Sequence, residues 1–286
     1  KRFMYGSLQL SGGISKKLEY AAHQLIAKLP PSVKEGAQPR WVRAKEFAEA
    51  AQGEIDLYRE QCPEMSASVE IRDDIVGLMV TNGNLLIGRN LRVPASRVNA
   101  LLQHEVGTHV LTYFNGRAQP FHLLYCGLAG YDELQEGIAV LSEYLVGGLS
   151  RPRLRLLAGR VIAVKCMLEG ASFVETFREL NSNLGFEKNT TFNLVARVYR
   201  AGGLTKDAVY LRGLVRLLDY LGKGGKLGNL FVGKISAAHV PIIEELKWRR
   251  VLRETPLVPH YMKLDSTALL LKRLSTGQTV LDLLKK

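Results

Sequence analysis

Two histidines and a glutamate lie within one short segment of the chain, Gln103-His-Glu-Val-Gly-Thr-His-Val. Imidazole nitrogens are ligands that zinc prefers in a tetrahedral site. A glutamate beside the first ligand can take a proton from metal-bound water, whose pKa the metal lowers towards 7, while the ion polarises a carbonyl group. The segment therefore predicts amide hydrolysis at a zinc ion, with His104 and His109 as ligands and Glu105 as the general base.

The spacing of the two histidines sets a condition on the helix that carries them. The common zinc-protease helix places its histidines four residues apart, which leaves them about 40° out of line. Here the gap is five residues, and a regular α-helix would separate the side chains by about 140°. A π-bulge would restore convergence, and Gly107 could ease the distortion. The spacing thus predicts a bulge between residues 104 and 109, or else no shared metal ion.

A second acidic segment follows at Tyr131-Asp-Glu-Leu-Gln-Glu-Gly-Ile-Ala-Val-Leu-Ser-Glu-Tyr. Its apolar residues recur at helical spacing and mark a buried stripe: Leu134, Ile138, Leu141 and Leu145. Glu136 lies near the edge of this stripe and is the predicted third ligand, with water in the fourth position as in a catalytic site. Glu143 lies one heptad later on the same side, where it could orient a ligating imidazole. Without a metal, the histidines would be ordinary hydrogen-bonded residues and the glutamates solvated ones.

Helical periodicity dominates the elements that must position these residues. Two helices are predicted at 13–29 and 42–61, followed by a strand at 68–72 and a hairpin of strands 75–80 and 85–88 around an Asn-Gly turn. After residue 95 the predicted helices are 95–114, 132–147, 152–168, 171–184, 190–201, 207–222, 237–253 and 266–284. The prediction is a predominantly helical α+β fold with a small antiparallel sheet before the metal-binding helix.

The domain prediction is one metallopeptidase domain over residues 1–286. Its parts are the N-terminal helices and small sheet (1–94), the zinc-site helices (95–149) and a basic helical part (150–286). Residues 1–149 carry 15 Lys and Arg against 16 Asp and Glu, whereas residues 150–286 carry 24 against 11. Such a basic half favours acidic partners through long-range steering. No recognisable nucleic-acid module accompanies the basic residues, so no nucleic-acid partner is expected.

Hydropathy and cysteine content bear on the compartment. No run of about 18 apolar residues appears, so neither a membrane-spanning helix nor a membrane partner is expected. The three cysteines are far apart and form no CxxC, which argues for a reducing compartment. The expected location is therefore the cytoplasm. The sequence does not predict an oligomeric state.

Several blocks together resemble the microtubule-associated tyrosine carboxypeptidase family and its bacterial QEGLA-motif relatives, nominally flavohemoglobin expression-modulating proteins. The blocks are His-Glu-Val-Gly-Thr-His from residue 104, Gln135-Glu-Gly-Ile-Ala, Lys206-Asp-Ala-Val-Tyr-Leu-Arg-Gly-Leu-Val-Arg-Leu-Leu and Val258-Pro-His-Tyr-Met. Ile138 replaces the leucine of the bacterial motif. The likeness runs from about residue 95 to 262.

The resemblance implies a zincin-like, zinc-dependent carboxypeptidase with one Zn²⁺ per chain. It makes His104, His109 and Glu136 the ligands and Glu105 the base, in agreement with the chemistry above. Eukaryotic members remove a C-terminal tyrosine from α-tubulin, whose tail is acidic, and the basic half would suit such a tail. The expected substrate is a protein or peptide C-terminus ending in tyrosine or another aromatic residue.

Substrate-binding candidates follow from what a carboxypeptidase must hold. The terminal carboxylate needs a cation, for which Arg197, Arg200 and Lys206 are candidates. Tyr210 or His260 could donate a hydrogen bond to the oxyanion formed during attack. The edge of the hairpin at 75–88 could pair with an extended substrate. The alternative function is a metal-binding regulatory or interaction protein without peptidase activity.

Overall fold

The fold is predominantly helical, with two small sheets packed against the helices. The computed structural model describes residues 2–31, 40–200 and 203–284. Its α-helices are α1 (Arg2–Ser11), α2 (Lys16–Lys28), α3 (Ala44–Gln61), α4 (Val98–His104), α5 (Leu111–Arg117), α6 (Leu123–Cys126), α7 (Tyr131–Leu145), α8 (Arg151–Leu168), α9 (Phe173–Arg178), α10 (Lys188–Tyr199), α11 (Val209–Gly222), α12 (Val240–Trp248) and α13 (Asp265–Leu274). None of these described helices has the length and apolarity needed to cross a bilayer.

The predicted hairpin is present as β3 (Leu78–Thr81) and β4 (Asn84–Gly88), which pair antiparallel with Thr81 opposite Asn84. Asn82 and Gly83 form its turn with φ of 48° and 78°. Two successive positive φ angles define a type I′ turn, whose twist matches that of the strands. The hairpin that the Asn-Gly dipeptide predicted is therefore confirmed.

The prediction of an antiparallel sheet was wrong for one strand. β2 (Val69–Arg72) pairs with β4 in parallel, which gives the order β2-β4-β3. The central strand carries the continuous apolar run Leu85-Leu-Ile, which is buried. A strand that is buried in this way reads as a continuous apolar run, and it can accept a partner on each side.

The start of the predicted helix 42–61 was also wrong. Its first residues form β1 (Trp41–Arg43), which pairs antiparallel with β5 (Arg92–Pro94) in a second sheet. α3 begins at Ala44, where the Glu46 carboxylate accepts a hydrogen bond from the Arg43 backbone N–H at 3.3 Å. This contact satisfies one of the free N–H groups at the helix start.

The C-terminal helices are shorter than predicted. The predicted helix 237–253 ends at Trp248, just before Arg250 adopts φ of 57°. The predicted helix 266–284 ends at Leu274, and Gly277 reverses the chain with φ of 86°. A residue in the left-handed region commonly follows the end of a helix. Helices α1 and α6 were not predicted, and Ala201, the last residue of predicted helix 190–201, lies outside the described residues.

Helices α7 and α11 cross at two glycines. A Cβ atom on Gly213 would lie 2.0 Å from the carbonyl oxygen of Glu133, and one on Gly137 would lie 2.5 Å from the carbonyl carbon of Gly213. Only hydrogen fits at such distances, so the two backbones are in direct contact. Glu136 immediately precedes this crossing on α7, and Tyr210 lies one turn before it on α11. The crossing therefore brings these two positions towards each other.

Adding a methyl group at this crossing should separate the helices. We expect Gly213→Ala to lower the free energy of unfolding by about 1–3 kcal/mol, as overpacking of a tight contact does. Urea unfolding followed by circular dichroism measures the change. Gly53→Ala is the control, because Gly53 is exposed within α3 with nothing within 4 Å of an added Cβ. That variant should be stabilised by up to about 1 kcal/mol, and equal stability of the two variants would contradict the tight crossing.

Candidate metal centre

A π-helical segment (Glu105–Val110) joins α4 to α5 without a break. The Leu111 N–H donates to the carbonyl of Val106, five residues back, as a π-turn requires. The Thr108 hydroxyl donates to the Gln103 carbonyl at 2.9 Å, which satisfies that acceptor within the widened turn. The prediction of a bulge between residues 104 and 109 is confirmed.

The widened turn brings His104, His109 and Glu136 together. Each offers one ligand atom, and these three atoms lie within 4.8 Å of one another. Glu136 Oε2 is 3.5 Å from His104 Nε2 and 3.7 Å from His109 Nε2. These separations are long for hydrogen bonds. They are close to the edge of about 3.3 Å that ligands form around a tetrahedral zinc ion.

An unsatisfied polar atom lies at the centre of this cluster, where it could bind a cation. Glu136 Oε2 is buried and has no hydrogen-bond partner among the described residues. A buried carboxylate oxygen without a partner is costly, and a metal ion between the three side chains would satisfy it. The two imidazole rings meet at 73°, with their centroids 5.3 Å apart. The residues present thus fit a metal with nitrogen and oxygen ligands.

Glu143 contacts the ring nitrogen of His104 that faces away from Glu136. Its Oε1 lies 2.9 Å from His104 Nδ1, which leaves Nε2 free to face Glu136. Arg97 donates to Oε2 at 2.7 Å, and Arg153 donates to both oxygens at 3.0 and 3.3 Å. The side chain of Glu143 is fully buried. A carboxylate in this position can fix the tautomer and the orientation of an imidazole, and the role predicted for Glu143 towards a metal ligand stays a prediction.

The electrostatic field of the site favours a positive charge at its centre. Burial raises the pKa of Glu136, but the imidazoles of His104 and His109 outweigh burial and hold this pKa well below 4.5. Burial lowers the pKa of His104, but Glu136 and Glu143 outweigh burial and raise it from 6.5 to about 10. The two glutamates therefore attract a cation to His104 Nε2, and either a proton or a metal ion can meet that demand.

A hydrogen bond between helices positions Glu136 along α7. The Thr112 hydroxyl, one turn beyond His109, is 2.8 Å from Gln135 Oε1 and also 2.7 Å from the Thr108 carbonyl. Gln135 directly precedes Glu136. The contact ties the histidine-bearing helix to α7 beside the three converging side chains. Gln135 therefore helps to position Glu136 relative to the two histidines.

Glu105 is the first residue of the π-helical segment and is partly exposed. Within the described part of the chain, its carboxylate forms no hydrogen bond or ion pair. Its charge acts on the neighbouring His104 imidazole. A carboxylate that is free of partners and adjacent to the three converging side chains could accept a proton there.

The structure brings two of the predicted substrate residues near Glu136. The charge of Glu136, followed by burial, raises the pKa of Tyr210, so this phenol stays protonated and can donate a hydrogen bond. Arg197 also lies within the field of Glu136. Its Nε and Nη2 each donate to Asp207 at 2.9 Å, a bidentate pair that fixes the guanidinium.

The other three predicted substrate residues have contacts elsewhere. Arg200 is exposed at the end of α10. Lys206 lies 3.5 Å from Asp132, with both side chains about half exposed. His260 stacks on Tyr58 at 4.2 Å, and its ring nitrogens contact Glu54 and Gln61. None of these contacts reaches the three converging side chains.

Sequence reasoning missed three arginines around the site. Arg97 and Arg153 contact Glu143, and Arg160 is buried beside Tyr210. No spacing rule links residue 97 or 153 to residue 143, since the contacts depend on tertiary packing. Arg160 did carry a signal, because it is the single charge in the apolar run Leu156-Leu-Ala-Gly-Arg-Val-Ile-Ala-Val.

Comparison with known proteins adds a family match. The family model described as microtubule-associated tyrosine carboxypeptidase matches residues 1–278. Proteins named microtubule-associated tyrosine carboxypeptidase 1 from Mus musculus, Rattus norvegicus and Homo sapiens are each 27% identical over 213 residues. The matched part covers 68% of this chain and 43% of each relative. The chain therefore spans less than half the length of these relatives.

The buried Glu143 should make acid stability depend on this site. Arg153, His104 and Arg97 outweigh burial and hold the pKa of Glu143 below its ordinary 4.5. A lowered pKa stabilises the fold above pH 4.5, and this contribution is lost as the pH falls towards the folded-state value. We expect Glu143→Gln to cost about 3–5 kcal/mol at pH 7, as loss of one partner of a buried ion pair does, and less at pH 3.

Urea unfolding with EDTA at both pH values measures this difference without any contribution from metal binding. Glu70→Gln is the matched control, because its ion pair with Arg72 is about half exposed; it should cost less than about 1 kcal/mol. A Glu143→Gln penalty that is the same at pH 7 and pH 3 would contradict the assignment.

Proposed function

The chain belongs to the microtubule-associated tyrosine carboxypeptidase family, and from that premise we propose that it is a zinc-dependent carboxypeptidase. One observation carries the proposal. His104, His109 and Glu136 converge, and the carboxylate oxygen between the imidazoles is buried and unsatisfied among the described residues. Two imidazoles and one carboxylate form a ligand set of catalytic zinc sites, which keep a fourth position open.

The proposed mechanism assigns one step to each residue. A zinc ion, when bound, supplies Lewis-acid polarisation of the scissile carbonyl and of the attacking water. Glu105 accepts a proton from that water as its oxygen bonds to the carbonyl carbon, and it then gives the proton to the leaving amine as the C–N bond breaks. Glu143 keeps His104 in the tautomer that presents Nε2 to the site.

The proposed substrate is the C-terminus of a protein or peptide that ends in tyrosine or another aromatic residue. The names of the relatives support a C-terminal tyrosine. The excess of positive charge in residues 150–286 supports an acidic tail. β3 is an edge strand of its sheet, and an extended substrate could add to this edge by backbone hydrogen bonds.

Tyr210 is the proposed donor to the oxyanion that forms at the attacked carbonyl. The charge of Glu136 acts on it, and its hydroxyl forms no hydrogen bond with the described residues. Arg197 is a proposed cation for the substrate because it faces the same region while bound to Asp207. The roles of Arg200, Lys206 and His260 stay predictions without a supporting contact at the site.

Two broader proposals accompany this function. We propose that residues 1–286 act as one metallopeptidase domain, since buried residues from Leu18 to Leu283 belong to one hydrophobic cluster. The proposed location is the cytoplasm, where free cysteines stay reduced; Cys62, Cys126 and Cys166 are free.

A metal-binding regulatory protein is the second candidate, because the same three ligands would serve it. The two candidates differ at Glu105. A regulator has no use for an unpaired carboxylate beside the ligands, whereas a peptidase needs it as a base.

Metal content tests the site directly. We expect about one zinc per chain after dialysis without chelator, and loss of most of it in His109→Ala, because two ligands hold zinc far less tightly than three. Elemental analysis of folded protein gives the ratio. His23→Ala is the control, since His23 is about half exposed on α2 and outside the cluster. A folded wild type that binds no added zinc would sink the proposal.

Replacement of Glu105 tests the proposed peptidase activity. We expect Glu105→Gln to retain zinc but to release the C-terminal residue from a tyrosine-ended peptide about 10²–10⁴-fold more slowly, the usual contribution of a general base. Mass spectrometry of the shortened peptide gives the rate, and Glu64→Gln, an exposed change outside the cluster, is the control. Equal rates in the wild type and Glu105→Gln would favour the regulatory alternative.

A further inference from the structure

Arg160, in the middle of α8, is a buried charge without a counter-ion. Its side chain is 8% exposed, and its Nε is buried without a hydrogen-bond partner among the described residues. Within those ranges no carboxylate lies within ion-pair distance of its guanidinium. Burial lowers its pKa from 12.5 to about 10, so it remains charged at neutral pH. An isolated buried charge lowers the stability of the fold. An anion that binds beside Arg160 would reduce this cost.

Among the described residues around Arg160, no carboxylate is free to neutralise it. Its guanidinium carbon lies 4.9 Å from the ring of Tyr210, a cation–π contact. Asp207 is the nearby acid, but both of its oxygens already accept hydrogen bonds from Arg197. Arg153 and Arg197 also act on Arg160, but each has a carboxylate partner of its own, Glu143 and Asp207, so Arg160 is the arginine of this group that lacks one. A ligand with a single negative charge would complete the cluster.

This cluster adjoins the metal centre through the crossing of α7 and α11. Gly137 and Gly213 are in backbone contact there, Glu136 precedes Gly137, and Tyr210 lies one turn before Gly213. Tyr210 therefore stands between Arg160 and the converging ligands. In a peptide, the terminal carboxylate lies only one residue beyond the scissile amide, about 3.8 Å from Cα to Cα. An exopeptidase needs its anion position next to its reacting position, and Tyr210 connects the two here, because it contacts Arg160 and is affected by the charge of Glu136.

We propose that Arg160 binds the α-carboxylate of the substrate's last residue and thereby restricts cleavage to the C-terminus. The planar fork of a guanidinium suits two parallel hydrogen bonds to a carboxylate. Arg197 stays bound to Asp207 and helps set the positive charge of the pocket. The inference rests on the proposed function for its substrate and goes beyond it in naming the residue that recognises the free terminus.

The test measures binding without turnover. The Glu105→Gln protein with added zinc is titrated into a peptide labelled at its N-terminus, with either a free or an amidated C-terminal tyrosine. Fluorescence anisotropy gives both Kd values. We expect the free acid to bind about 10- to 100-fold more tightly than the amide, the range for hydrogen bonds to charged groups. In the added variant Arg160→Met, this ratio should fall to about 1, whereas Arg160→Lys should keep part of it.

Arg151→Gln is the matched control, because it removes one positive charge from an exposed position of the same helix. Its ratio should equal that of the parent. Arg160→Met should also unfold at the same or a higher temperature, because replacing an unpaired buried charge by an apolar side chain is neutral or stabilising. A large loss of thermal stability would show that the guanidinium is structural and would overturn the inference.

The failures of the two proposals are distinguishable. An unchanged preference for the free acid in Arg160→Met and Arg160→Lys, or no preference in the parent, would overturn the role of Arg160 alone. Absence of C-terminal release by zinc-loaded wild type would overturn the proposed function, while the binding ratio would still report on the carboxylate pocket.

Discussion

One extra residue in a helical turn is the constraint on which the site depends. With the two histidines five positions apart, a regular helix would direct them to different faces, and the π-segment at Glu105–Val110 removes that difference. The distortion needs its own support, which the Thr108 hydroxyl and the Thr112–Gln135 hydrogen bond provide. The polar residues inside this apolar helix therefore serve the geometry of the turn, and the turn serves the convergence of the ligands.

Charge is distributed around the site in two layers. The inner layer is negative, because Glu136 and Glu143 face opposite nitrogens of His104. The outer layer is positive, with Arg97 and Arg153 on Glu143 and with Arg160 beside Tyr210. Such an arrangement favours a cation at the centre and an anion at the side. A peptide C-terminus bound to a metal ion presents the complementary pattern.

The local parts of this design could be predicted from the sequence, and the long-range parts could not. The hairpin followed from Asn82-Gly83, and the π-turn followed from the spacing of His104 and His109. Glu143 was found because one heptad returns a residue to the same face of α7. Its arginine partners lie on other elements and depend on packing that no periodicity reveals. The parallel pairing of β2 and the β1–β5 pair were missed for the same reason.

The contacts of Glu143 do not involve any metal ion. Arg97, Arg153 and His104 hold this carboxylate through protein atoms alone, so the His104 ring is already oriented by the protein. In small zinc-dependent domains, much of the free energy of ion binding is consumed by folding. Here the protein orders this part of the site by itself. A cation could therefore bind between the three side chains, and leave again, without any unfolding of the chain.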